Sequence, residues 1–271
     1  MNKYKYIFVV LVYKNADDLA ECVDSIKNTI ESFRVVVVNS YFDEETKQRI
    51  EKVAKDNDCD FINVENKGYS FGNNRGIEFA KNNYDYEYIV VSNPDIIVKE
   101  FNDKQLDDYK DYSIIAPYII TKDGRRQNPM AITSHKFIDW LQYKGMKNNS
   151  NLLTWTGLVL SKISRTFLEL LHIGAKKPYK IYVAHGSFVI FRKAAIDILY
   201  PVYDENVFLF AEEGILAVKA RKLKIKTGQF NSVRVFHKED GSMKLANISI
   251  NDECKKANIY YYETYIKKSK E

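Results

Sequence analysis

Cysteine is scarce: Cys22, Cys59 and Cys254 are the only three in 271 residues. An odd, scattered set gives neither a disulfide framework nor a zinc-binding spacing, which favours a reducing compartment. Long apolar runs are also missing. The run at 7–12 is followed at once by Tyr13 and Lys14; it is too short for a signal-peptide core or a membrane span and reads as a buried strand. No later run approaches the roughly 18 apolar residues of a spanning helix, so a soluble or peripheral protein is expected. Neither charge sign dominates, with 41 Lys and Arg against 36 Asp and Glu and a net charge of +5. That excess is too small to argue for nucleic acid, and it is compatible with anionic small molecules or an anionic membrane surface. There is no internal repeat, no low-complexity segment and no G-x-G-x-x-G, so a nicotinamide cofactor is disfavoured.

What remains has an ordinary globular composition, 45% hydrophobic and 28% charged, with 20 Tyr and 15 Phe. Such aromatic content suits stacking on rings or bases, and an aromatic core explains it equally well. Apolar runs at 7–12, 35–38, 61–64 and 88–91 alternate with helical patterns at 17–30, 44–57 and 73–82. Strands that lack polar alternation are buried on both faces, as in a parallel sheet covered by helices. The pattern predicts an open, mostly parallel doubly wound α/β sheet whose ligands lie beyond the carboxyl ends of the strands. Further strands are expected at 113–120, 182–191 and 233–236, a helix at 211–221, and a helical tail from about 246 to 271. The stretch 125–180 has few strand signals and predicts an additional helical segment.

Two segments at predicted strand ends carry chemistry. Asp95, in Ser92-Asn93-Pro94-Asp95, sits where a cation bound to a diphosphate could be held, and oxygen ligands suit Mg²⁺ or Mn²⁺. A Pro-containing turn whose Asp caps the next residues reads as well. The second segment, 66–76, places Gly68, Gly72 and Gly76 at fourfold spacing around a strand-to-helix junction. Such glycines permit close backbone approach, and the following helix N-terminus favours an anion; a plain glycine-rich turn is the alternative.

In their order along the chain these segments resemble the family 2 glycosyltransferases of the GT-A fold. The features that carry the resemblance are Tyr13 and Asn15 after the first strand, then Leu19, Cys22 and Ser25, then Asn66, Gly68, Asn74 and Gly76. Asn93-Pro94-Asp95 stands in place of Asp-x-Asp, as in the rhamnosyltransferase-like and capsule-building branches. Later matches are His185-Gly186-Ser187-Phe188 with Arg192, Glu212-Glu213 with Arg221 and Gly228, and His237 with Gly241-Ser242. Two positions depart from the family pattern: Asn39 stands where many relatives have a base-reading Asp, and Glu-Glu stands where Glu-Asp is usual.

The resemblance implies one GT-A domain over about 1–245, with 125–180 on the acceptor side. It implies inverting transfer from a nucleotide-diphosphate sugar (dTDP-rhamnose or a UDP-hexose) to a glycan or lipid-linked glycan hydroxyl in bacterial cell-surface polysaccharide synthesis. The donor would be bound by Tyr13, Asn15, Asn39, Asn66, Gly68, Asn74, Asn93 and Gly186, and Mg²⁺ or Mn²⁺ by Asp95 and His237. Glu213 would take the acceptor proton, and Glu212 would orient its neighbours. No nucleic-acid partner is expected, and the location implied is cytoplasmic, up to the inner face of the membrane. A catalytically inactive member that binds partners in an assembly complex is the rival reading; a sugar-nucleotide pyrophosphorylase would need a basic glycine-rich loop where Tyr13-Lys14-Asn15-Ala16 stands. Within 136–180, eight basic residues face two acidic ones, and apolar residues alternate with them. A basic amphipathic helix of that kind can lie in a membrane interface or pack on its own domain.

Overall fold

The computed structural model describes residues 2–239 and 249–267. Its elements run β1 Asn2–Val12, α1 Ala16–Lys27, β2 Phe33–Ser40, α2 Glu44–Asp56, β3 Asp60–Val64, α3 Tyr69–Asn83, β4 Tyr84–Ser92 and β5 Ile96–Phe101. There follow α4 Lys104–Asp108, β6 Tyr112–Thr121, α5 Lys136–Lys147, α6 Asn151–Leu170, β7 Tyr179–Ile181, β8 Phe188–Arg192 and α7 Lys193–Leu199. The last elements are α8 Glu212–Lys222, β9 Lys226–His237, α9 Ile250–Tyr261 and a π-helical turn Tyr262–Lys267.

Among the described residues nine strands form one mixed sheet in the order β3-β2-β1-β4-β8-β6-β9-β5, with β7 on β9. The first four are parallel; the apolar runs of β2, β1 and β4 are buried on both faces, and edge strand β3 is partly buried. Val35 and Val37 pack with Phe8, Val10 and the helices α1 and α2 on one side. Val36 and Val38 pack with Ile7, Val9 and Ile77 of α3 on the other. Burial on both faces is what the unbroken β-branched run at 35–38 dictates. The expected α/β architecture with helices on both faces is present. The later half departs in direction: β8 runs antiparallel to β4 and β6, and β5 antiparallel to β9.

Several boundaries differ from the sequence pattern. Residues 182–191 are not one strand, because β8 begins only at Phe188 and the residues before it form an irregular segment. The last strand is longer than 233–236 and runs from Lys226 to His237. α3 starts at Tyr69, inside the glycine-rich stretch, not near Asn73. Of the three glycines, Gly68 makes the turn, at φ +97°. Gly72 and Gly76 lie within α3, where a Cβ would meet Leu11, or Val9 and Val38, at 2.7 Å or less. Their absent side chains bring α3 hard against β1 and β2.

One edge of the sheet collects the ends of β1 to β4, β6 and β9 and the starts of β5 and β8. His237 pairs with Ile96 and with Thr121, and Phe188 pairs with Ser92. α5 and α6 form a hairpin over this edge, with Gly145 against Thr154 and Gly157 against Gln142 and Leu141. The C-terminal segment docks beside them: Ala257 packs with Val207 and Ile215, and Tyr260 and Tyr265 both donate to Asp204 Oδ2. The sequence match at Gly241-Ser242 lies outside the described residues, as do the ends of the expected tail, 246–248 and 268–271.

Candidate active site

A cleft of about 650 Å³ opens along this edge. Tyr13, Ser40, Asn66 and Gly68 line one end, Asn93 to Asp95 and His237 the floor, and Gly186, Glu212 and Glu213 the far wall. Polar residues from the α5–α6 hairpin complete it.

At the floor, the turn after β4 puts Asp95 one residue before β5, and the β5–β9 register puts His237 opposite Ile96. Both side chains are buried, and His237 Nε2 lies 3.2 Å from Asp95 Oδ1. Lys238 N–H donates to the Asp95 carbonyl (3.0 Å), and Asn93 N–H to the Ser187 carbonyl (2.8 Å), so the turn is tied on both sides. Gln127 fixes the imidazole. Its amide nitrogen donates to Glu239 Oε1 (2.9 Å), which turns its oxygen toward His237 Nδ1 at 2.7 Å. Nδ1 therefore carries a proton, and Nε2 faces a carboxylate oxygen. A cation held between Nε2 and that oxygen would take the place of a proton there, the arrangement of a metal-binding histidine whose other nitrogen is fixed by an acceptor. One carboxylate and one imidazole suit Mn²⁺, with Mg²⁺ the alternative where more oxygen ligands come from the substrate. Among the described residues there is no cluster of three or more His, Cys, Asp and Glu suited to a metal, so further ligands would have to come from a bound diphosphate and water.

The far wall is built on the N-terminus of α8. Phe210 and Ala211 precede it at φ +71° and +64°, a left-handed conformation costing about 1–2 kcal/mol per non-glycine residue. The Phe208 carbonyl, accepting from Tyr69 N–H at 2.8 Å, anchors that loop to α3. A Cβ on Gly68 would lie 2.1 Å from the same oxygen, so glycine is required there by close approach as well as by φ. Gly186 N–H donates to Glu213 Oε1 (3.2 Å), and Tyr69 hydroxyl donates to the Gly186 carbonyl (2.8 Å). A side chain at 186 would sit 3.0 Å from the Glu213 oxygen.

The two glutamates differ in environment. Burial raises the pKa of Glu212 well above the glutamate range, and the neighbouring Glu213 raises it further. Burial also raises Glu213, but backbone N–H donors, Gly186 among them, oppose the rise. Among the described residues Glu212 Oε2 has no hydrogen-bond partner. An N–H donor favours a carboxylate and an unpartnered buried oxygen disfavours one, so of the two Glu213 is the better placed to give up its proton and Glu212 to keep it.

The sequence-predicted residues divide cleanly. Tyr13, Asn66, Gly68, Asn93, Asp95, Gly186, Glu212, Glu213 and His237 line one cleft. Asn15, Asn39 and Asn74 do not. Asn15 is the N-cap of α1 and accepts from Asp18 N–H. Asn39 donates to Asn63 Oδ1 (2.6 Å) beneath the cleft surface, where the next residue, Ser40, is exposed to it. Asn74 donates to the Tyr203 carbonyl and Glu205 and accepts from Tyr203 N–H, clamping that loop to α3.

The sequence did not single out Gln127 or the polar lining supplied by Asp139, Ser164 and Arg165. Burial pushes the Asp139 carboxyl up to about 6, against the lowering effect of Arg221, and its Oδ2 has no hydrogen-bond partner among the described residues. His185 is held neutral, its pKa lowered to about 3 by burial, with His237 and Arg165 adding to the effect. No periodic signal marks these residues, because they sit in irregular chain or on the inward faces of two helices.

Residues 7–199 match the model of glycosyl transferase family 2. The chain belongs to that family. A similar protein is the low-salt glycan biosynthesis hexosyltransferase Agl10 of Haloferax volcanii, 24% identical over 235 residues, or 85% of this chain and 66% of that protein. A similar solved structure is GalNAc-T7 with UDP, GalNAc and Mn²⁺, at a TM-score of 0.66 and 13% identity, covering 98% of this chain and 49% of that one. The chain thus spans just under two thirds of the first protein and about half of the second. The likeness to GalNAc-T7 establishes the GT-A-like fold.

Proposed function

We propose that this family 2 glycosyltransferase is an inverting, metal-dependent enzyme. It moves a rhamnosyl or hexosyl group from a nucleotide-diphosphate sugar to a hydroxyl of a glycan or lipid-linked glycan. The observation that carries the reading is the meeting of Asp95–His237 and Glu213 across a single cleft. In it, Tyr13, Ser40 and Asn66 lie at the nucleoside end, and the diphosphate follows the strand ends toward Asn93 and Asp95. Asp95 and His237 would hold Mg²⁺ or Mn²⁺, which when bound would supply positive charge to offset that of the leaving diphosphate. Glu213 accepts the acceptor proton as the new glycosidic bond forms on the face opposite the departing diphosphate. Glu212, protonated, keeps a second negative charge away from that base. Gly186 orients Glu213 through its N–H.

The Asn-Pro-Asp sequence and the low cysteine content support a cytoplasmic role in bacterial cell-surface polysaccharide assembly, including capsule, with contact to the inner membrane face. An inactive binding partner is not favoured, because a partner surface has no need of a carboxylate held against a backbone N–H inside a cleft. The test is release of nucleoside diphosphate from a panel of dTDP- and UDP-sugars, with Mn²⁺ and with chelator. Metal-stimulated release from one donor is expected; no release from any donor, with or without acceptor glycans, would overturn the reading.

A further inference from the structure

We propose that the outer face of α6 docks the protein onto an anionic lipid surface. α6 is 20 residues long, about 30 Å, and its two sides differ in character. The inward side carries Gly157 packed on α5 and Ser161, Ser164 and Arg165 at the cleft. His135 and Ser164 Oγ, 2.7 Å apart, hold the start of α5 beside the second half of α6. The outward side carries Leu152, Trp155, Ile163, Phe167 and Leu170, each between 57 and 73% exposed. Their spacing puts them on one stripe along the helix. Phe137 and Trp140, stacked 5.9 Å apart on α5, are exposed as well. Folded proteins seldom leave so continuous an apolar surface to water unless something covers it.

Charge identifies what covers it. Lys162 lies at the edge of the stripe, and Lys176, Lys177 and Lys180 follow its end, all exposed. The two acids of the same segment are withdrawn: Asp139 faces the cleft, and Glu169 is paired with Arg165 at 3.3 Å. The exposed charge of this segment is therefore positive and borders an apolar stripe, a combination that matches the headgroup region of an anionic bilayer. A second copy of the chain would bring like charges together. No helix among the described residues is long and apolar enough to cross a membrane, so α6 lies along the surface. Because its opposite side borders the cleft, Ser161 and Ser164 stand about one helix diameter, roughly 10 Å, from the lipid. A lipid-linked acceptor would reach the cleft without leaving the membrane; that step rests on the proposed transfer reaction, whereas the docking does not.

The experiment is co-sedimentation of the full chain with vesicles of phosphatidylcholine alone and of phosphatidylcholine mixed with phosphatidylglycerol. Wild type is compared with Trp155→Glu/Phe167→Glu and with Lys176→Glu/Lys177→Glu. Wild type should bind the mixed vesicles at low salt and release them at high salt. The aromatic pair variant should bind at least about 100-fold more weakly, and the lysine pair variant about 30-fold more weakly. Both should keep the wild-type circular dichroism melt and the wild-type rate of donor hydrolysis in solution. Indifference of wild type to both vesicles, or undiminished binding by the aromatic variant, would overturn the proposal. So would a wild-type dimer in sedimentation velocity that the aromatic variant dissociates, because the face would then belong to a second copy. Vesicle binding without any donor turnover would remove the transfer reading and leave the docking surface standing.

Discussion

Replacing Glu213 by Gln removes one negative charge and changes little else in the far wall. Glutamine keeps an Oε1 able to accept from Gly186 N–H, now 3.2 Å away, so the α8 N-terminus and the Gly186 turn retain their tie. Asp95, in the turn before β5, and His237, at the end of β9, are untouched. The loss is therefore confined to proton acceptance, which a positioned carboxylate supplies at about 10²- to 10⁴-fold, or about 3–5 kcal/mol of barrier. Donor affinity should stay at the wild-type value while the transfer rate falls by that factor. Glu212→Gln replaces the group that burial and the neighbouring Glu213 push harder toward its protonated form, and should cost far less. Because burial raises the Glu213 pKa, the acid limb of the wild-type rate profile should lie above the ordinary glutamate value: activity is full above the raised pKa and lost as pH falls through it. The assay is transfer rate and donor affinity for both variants, with one acceptor, across pH. A Glu212→Gln variant as impaired as Glu213→Gln was expected to be, beside an active Glu213→Gln, would refute the assignment; two fully active variants would refute the role of the pair.

Gly186→Ala should lower the transfer rate more than donor binding, because the added Cβ at 3.0 Å displaces the Glu213 carboxylate; equal rates for variant and wild type would show that the contact yields without consequence. Asp139→Asn should raise the melting temperature at neutral pH. The native carboxyl titrates at about 6 rather than 3.8, so the folded state keeps its proton longer and stability falls as pH rises between those values, by about 3 kcal/mol at about 1.4 kcal/mol per pH unit. The gain should vanish below about pH 4, and a variant no more stable than wild type at pH 7 would count against the burial argument.

The parallel half of the sheet was legible because apolar runs such as that at 35–38 admit only a doubly buried strand. The residues at the ends of β1 and β4 followed from that, which is why Tyr13 and Asp95 could be placed near a ligand. What pattern could not give was register between distant strands: Asp95 meets His237 only because β5 pairs antiparallel with β9, and β5 had no signal of its own beyond a few apolar residues. Asn74 and Asn15 show the opposite case. Asparagine near a glycine-rich turn suits a ligand, but each here satisfies backbone groups at a loop or a helix start, a need as common as binding. Gln127 was invisible because its work depends on Glu239 and His237, each more than 100 residues away. The α5–α6 hairpin was legible as helical and amphipathic, but not as a cleft wall, since its inward serines resemble any polar helix face.

The central claim is that Asp95 and His237 hold the donor's diphosphate through a divalent cation while Glu213 acts separately on the acceptor. Thermal stabilisation by a nucleoside diphosphate, with Mn²⁺ and with chelator, tests it most directly in wild type, Asp95→Ala and Glu213→Gln. A ligand at a hundredfold excess over its Kd adds about 2.7 kcal/mol, enough to shift the melt clearly. The account predicts a Mn²⁺-dependent shift in wild type and Glu213→Gln and none in Asp95→Ala. An undiminished Mn²⁺-dependent shift in Asp95→Ala would contradict it.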